Sequence, residues 1–94
     1  MKIPTKAVSQ TGVGTSEAIS IKSSTRVSGL VKVEGTVNYT VEHSLDDINF
    51  IENTDVVSQS ADIDFNYILP LGSVRVKVNS GTGTATLVIR QVID

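Results

Sequence analysis

The sequence predicts an all-β domain: a small antiparallel β-sandwich, immunoglobulin-like or jelly-roll-like, with an extended N-terminal arm. Three observations predict it. Apolar residues recur with period two in several short stretches. Those stretches are rich in valine and threonine, whose β-branched side chains suit a pleated, half-buried surface. Glycine or polar clusters separate them, and no stretch repeats with a helical period. About six to eight strands are expected for such a sandwich.

The elements follow in order. Residues 1–16, MKIPTKAVSQTGVGTS, are polar, contain glycine and are interrupted by Pro4, and they read as an extended arm. The sandwich domain then spans 17–94, with strands expected over 17–22 (EAISIK) and 28–34 (SGLVKVE). Over 37–45, Val37, Tyr39, Val41, His43 and Leu45 share one face, and Asn38, Thr40, Glu42 and Ser44 share the wet one. A short strand is expected near 48–52 (INFIE) and another at 62–68 (DIDFNYI). Pro70 cannot donate to a ladder, so it belongs to the connection that follows. Val74, Val76 and Val78 alternate with Arg75, Lys77 and Asn79 in the next strand. Ala85, Leu87 and Ile89 line one face of the last, and Asn79-Ser80-Gly81-Thr82-Gly83 between the two reads as a hairpin connection.

Composition excludes several function classes. A chain of 94 residues is one domain, with a thin core that gains from association. Cysteine is absent, which removes disulfides and zinc-thiolate sites and fits folding in a reducing compartment. No apolar run approaches the roughly 20 residues of a membrane-spanning helix, and the N-terminus lacks the apolar segment of a secretory signal. The net charge of −2 hides a segregation. Residues 42–64 carry Glu42, Asp46, Asp47, Glu52, Asp55, Asp62 and Asp64 with no lysine or arginine, whereas residues 1–41 carry five basic and two acidic side chains. The plainer reading of this pattern is a solvated acidic loop region; the alternative is steering of contact between copies, the basic arm against the acidic region. The basic residues are dispersed and do not interleave with aromatics, so no nucleic-acid surface is expected.

Candidate chemistry is sparse. His43, Asp46 and Asp47 lie within five positions, but a hydrolytic or metal site needs further ligands or a nucleophile at close range. The plainer reading is a histidine at the edge of the core and aspartates capping a turn. Asp47-Ile48-Asn49-Phe50-Ile51 begins like a calcium loop, yet isoleucine stands where an oxygen is needed and no glycine follows. Asp62 and Asp64 share a strand face, which reads as a charged outer surface. Gly81-Thr82-Gly83 and Gly12-Val13-Gly14 lack the helix that a phosphate loop requires. Tyr39, Phe50, Phe65 and Tyr67 offer either a sugar-stacking platform or core filling, and core filling is the commoner use in so small a sandwich. No enzymatic activity and no cofactor is expected.

Two blocks, YTVEHSLDD at 39–47 and PLGSVRVKVNSGTGTATLVIRQ at 70–91, resemble in order and spacing a group of small virion proteins of tailed bacteriophages. The resemblance covers about 37–91 and leaves residues 1–16 unmatched. In that group an aromatic-containing loop follows the Asp-Asp turn; here Ile48-Asn49-Phe50-Ile51 takes its place. The resemblance implies a structural role in the phage particle, as capsid decoration or cement, or as a head-fibre or tail accessory. The implied partners are a second copy of the chain, most simply in a trimer, and a major capsid or other virion protein. The location is the virion, assembled in the host cytoplasm. The expected interaction residues are Lys2, Ile3 and Lys6 in the arm and Asp46, Asp47 and Phe50 at the turn. A carbohydrate- or receptor-binding module is the alternative.

Overall fold

Backbone pairing, more than side-chain pattern, organises this chain. In the computed structural model, residues 3–21, 26–67 and 72–91 are described. Among them nine strands form: β1 (Thr5–Thr11), β2 (Gly14–Thr15), β3 (Ile19–Ser20), β4 (Val27–Glu34), β5 (Val37–Ser44), β6 (Phe50–Glu52), β7 (Ile63–Tyr67), β8 (Ser73–Gly81) and β9 (Thr84–Gln91). All pairings are antiparallel. The first sheet has the order β1-β9-β4-β7; the second has β2-β8-β5-β6, with β3 also on β8. The chain is a β-sandwich.

The two sheets share a strand order for a physical reason. β1 runs into β2, β4 into β5 and β8 into β9, and each pair crosses from one sheet to the other. Three long lengths of chain therefore lie side by side and bend together. Glu34 pairs with Thr84, and three residues on Val37 pairs with Gly81, so that ladder keeps one register through the bend. At the bend the Gly83 N–H donates to Thr36 O at 2.9 Å and the Gly12 N–H donates to Gly83 O at 3.0 Å. Side chains have no room there. Gly81 has φ of 100°, and a Cβ added to it would collide with the Thr36 carbonyl; one on Gly83 would collide with the Glu34 carbonyl.

Residues 79–83 are thus a corner and not the hairpin expected from their glycines. β8 and β9 do not pair with each other; they occupy corresponding places in opposite sheets. A glycine cluster tells that the chain reverses, but not whether it turns within a sheet or over to the next. The expectation for residues 1–16 also meets a difference. Residues 5–11 are extended, but they lie in the first sheet as β1, paired with β9 from Thr5↔Arg90 to Thr11↔Thr84. Their polar composition hid them, because an edge strand buries little. Ser9 and Thr11 hydroxyls instead meet those of Thr86 and Thr84, at 2.9 and 2.8 Å.

The interior is built mainly from valine. Val31, Val41, Val56, Val74, Val76, Val78 and Leu87 are fully buried between the sheets, with Tyr39 among them. Stiff β-branched side chains on facing strands interdigitate with few rotamer alternatives. Gly29 lets the Phe65 ring lie across β4, where a Cβ would collide with it. Ser16 holds the second sheet's edge between β2 and β3: its N–H donates to Val76 O at 2.9 Å, and its Oγ accepts from Val76 N at 3.0 Å. Pro70 lies outside the described residues.

The corner makes a graded prediction. Gly12 has φ of 72° but open space around its Cα, so Gly12→Ala is expected to cost about 1–2 kcal/mol from backbone strain alone. Gly81→Ala adds a carbonyl collision and is expected to cost about 2–4 kcal/mol. Urea unfolding of the two variants measures both; equal losses would show that the stacked corner does not constrain the fold.

Candidate functional site

The end of the sandwich away from the corner is closed by the β5–β6 turn, and one carboxylate shapes it. Asp46 accepts hydrogen bonds from the backbone of Ile48 at 2.9 Å and of Asn49 at 2.8 Å, from Asn49 Nδ2 at 2.7 Å and from Ser44 Oγ at 2.9 Å. These donors hold its carboxyl well below the usual carboxylate range, the Asn49 and Ile48 backbone bonds first among them. Asp47 follows at φ 65°, a left-handed conformation that aspartate tolerates. The chain then returns along β5 with Phe50 opposite Ser44. This tight return leaves Leu45, Ile48 and Ile51 standing out, 75%, 80% and 66% exposed. Leu45 was expected on the core face. The strand ends at Ser44, one residue too early for the alternation to carry it inward.

Behind the turn, the outer face of the second sheet is polar but closed. Thr40, Glu42 and Ser44, expected on the wet face, are buried. Glu42 lies opposite Arg75, whose Nε donates to its carboxylate at 2.8 Å, and the Arg75 guanidinium covers the Phe50 ring at 3.8 Å from the centroid. Thr40 Oγ1 accepts from the Ser58 N–H at 3.1 Å and from Asn79 Nδ2 at 3.0 Å. The same Asn79 amide reaches Asn38 Oδ1 at 3.0 Å, stitching the register shift beside Tyr39. Residues 53–59 cover this strand as well, with Tyr39 and Gln59 exchanging backbone hydrogen bonds.

His43 sits at the core edge and half-buried. Its Nδ1 lies 3.0 Å from Tyr67 Oη, which also accepts from Asn53 Nδ2 at 2.9 Å. The phenol proton is therefore free to point at Nδ1, which fits a neutral imidazole, and burial pushes the His43 pKa down. Burial pushes the Tyr67 hydroxyl up to about 12. Tyr39 is likewise raised to about 12 by burial and then by Asp62, and its hydroxyl donates to the Ala61 carbonyl. This is a packed polar network with no nucleophile in it. Among the described residues no three histidine or acidic side chains converge on one point. Asp62 is taken up by Lys32 Nζ at 2.9 Å and the Val33 N–H at 2.8 Å. The aromatics do not make a flat platform: Tyr39 and Phe65 are buried, Tyr67 packs edge-on between His43 and Phe65, and Phe50 is covered by Arg75.

The expected interaction residues divide. Asp46, Asp47 and Phe50 come together at the β5–β6 turn. Ile3 and Lys6 are exposed in the other sheet, at and before β1. Lys2 lies outside the described residues. Sequence reading missed the three aliphatic residues that dominate the surface of the turn. The signal was present: an Asp-Asp-Ile-Asn tetrad after a strand is an Asp-capped turn, and apolar residues within one have no core to reach.

No protein-family model and no curated protein sequence matches the chain. Solved structures that share its fold include the following two. One is the SPBc2 prophage-derived protein YomS, 14% identical, with a TM-score of 0.63 over 99% of this chain and 96% of that one. The other is from the Bacillus endospore appendages, described as a novel family of disulfide-linked pili: 18% identical, with a TM-score of 0.57 over 99% of this chain and 88% of that one. At such identities the likeness is one of fold.

Two predictions follow from the geometry. Glu42→Ala leaves the largely buried Arg75 unpaired and is expected to destabilise by about 1–3 kcal/mol. A double-mutant cycle with Arg75→Ala measures the coupling, and additivity of the two losses would refute it. The pH dependence has two steps. Asp46 titrates lower in the folded state than its ordinary 3.8, so its contribution is full above that value and is lost as pH falls beneath it. His43, favoured neutral, contributes fully above its ordinary 6.5 and progressively less as pH falls below that. Asp62, held low by Lys32 and the Val33 N–H, adds to the acidic step; urea midpoints from about pH 8 to about pH 3 should show both steps, and Asp46→Asn should reduce the acidic one and leave the other unchanged.

Proposed function

We propose that this protein is a non-enzymatic structural component of a tailed-phage virion, most simply a protein that decorates or cements the capsid through protein–protein contacts. The observation that carries the reading is the β5–β6 turn. Three large aliphatic side chains stand in solvent on a turn fixed by the four hydrogen bonds to Asp46. Exposed apolar side chains cost solubility unless a partner covers them, and a turn already ordered loses little entropy on binding. The phage setting is supported by the resemblance over 37–91 and by a fold shared with a prophage-derived protein. The polar networks around His43 and Glu42 support a role without turnover, since each donor and acceptor named there is engaged in packing. The partners in this reading are a major capsid protein and further copies of the chain, in the virion.

The test is addition of purified protein to capsids that lack it, followed by co-sedimentation and by capsid survival on heating. Saturable binding at a fixed ratio to the major capsid protein, with heat protection, is the expected result. Absence of binding would overturn the decoration reading and direct attention to tail or fibre attachment.

A further inference from the structure

The three crossings at the corner are not equally held. β4, β5, β8 and β9 have neighbours on both sides, whereas β9 is the only sheet neighbour of β1 among the described residues. None of the seven residues of β1 is buried. Val8 rests half-covered against the core, and the Ser9 and Thr11 hydroxyls meet those of Thr86 and Thr84 at the surface. Water replaces such exposed bonds at small cost, so the backbone ladder is what holds the strand. A strand polar on both faces is weakly specified against exchange with an identical strand.

The link to β2 is suited to opening. Only Gly12 and Val13 separate the two strands. Gly12 turns at φ of 72° with open space around it, and Gly14 follows at 146°. Glycine takes an extended conformation as readily, so the link has a second state at little backbone cost. Short links that must bend tightly favour that state. Straightened, the link carries β1 away from its own domain and leaves the edge of β9 bare. Val13 stands on the link 70% exposed.

We infer that β1 is exchanged between two copies: residues 12–14 straighten, and β1 of each copy pairs with β9 of the other in the register Thr5↔Arg90 to Thr11↔Thr84 that the closed chain uses. The closed chain itself fixes the occupant of the bare edge, since strand and surface already fit residue for residue. Exchange is reciprocal, so the product is a two-fold dimer. The whole ladder is kept, and the loss is the Gly12 N–H bond to Gly83 O at the corner. The two straightened links run side by side, which brings Val13 against its counterpart. The inference deepens the proposed function and rests on its reading that further copies of the chain are partners; it says how two copies join.

The chain has no cysteine, so an introduced disulfide reports the pairing. Ser9→Cys and Thr86→Cys, made in separate chains, are mixed reduced at about 1 mM, incubated and then oxidised. The heterodisulfide is expected in about tenfold excess over either homodisulfide, because exchange holds the two thiols at high effective concentration. A statistical mixture overturns the inference. Thr11→Cys with Thr84→Cys repeats the test at the second hydroxyl pair, and thermal melting checks that each variant folds. Ser9→Cys and Thr86→Cys in one chain, oxidised while dilute, lock β1 onto its own β9. In sedimentation velocity up to about 1 mM the wild type is expected to dimerise and the locked chain to stay monomeric. A locked chain that dimerises like wild type, or a wild type that stays monomeric, overturns the exchange. Gly12→Val places a β-branched residue at a φ it avoids when closed and accepts when extended, so it is expected to tighten the dimer at least about tenfold; an unchanged or weaker dimer counts against exchange. The disulfide is read without capsids. Failed exchange therefore leaves the proposed function standing, and a chain that exchanges but binds no capsid overturns that function and not the exchange.

Discussion

Three lengths of chain must pass from one sheet to the other at one level, and the sandwich depends on that shared bend. At such a place the three lengths run close enough to hydrogen-bond one another, and here the ladder continues through the bend. Gly83 donates to Thr36 and accepts from Gly12, so the three crossings are hydrogen-bonded to one another as well as to their own strands. The requirement of near-contact between backbones excludes side chains and so fixes glycine at 81 and 83. Identical strand order in the two sheets is the geometric result. The valine core is then trapped between the halves of one folded ladder.

The two ends of the molecule consequently differ in character. At the corner, backbone packs on backbone. At the other end the strands separate, and side chains must do the closing: Asp46 gathers its turn, Asn53 and Tyr67 hold His43, and Arg75 bridges Glu42 and Phe50. Polar side chains that close an end also fix what stands outside it. Ile48 is exposed because Asp46 has already taken the backbone groups that would otherwise let the loop fold inward.

Much of the fold was legible in the sequence, because period two is a direct consequence of the pleat. Val74, Val76 and Val78 alternate with Arg75 and Lys77, and the interior takes the valines. The reading failed where burial comes from something other than alternation. Glu42 is covered by its cross-strand partner Arg75, a neighbour 33 residues away that no local pattern reveals. β1 was hidden because an edge strand in contact with water looks like a polar arm. The corner was misread because glycines mark a reversal without giving its plane. At the candidate site, the aspartates and Phe50 were visible as a turn, whereas Leu45 was read onto the core face and Ile48 and Ile51 were not singled out, though the geometry of the turn puts all three outside.

The pairing of β1 with β9 has a consequence for how the molecule is made. Ser9 meets Thr86, 77 positions further along the chain. β1 has no other neighbour within its sheet, so it stays a strand without a sheet until nearly the whole domain has been synthesised. Closing so long a loop is entropically late, and topologies dominated by such contacts fold slowly. The folded ladder of β4–β5 and β8–β9 can collapse first, because it needs only the link between β5 and β8 to close. β1 then joins an existing surface, and as an edge strand it can separate from that surface without disturbing the other pairings.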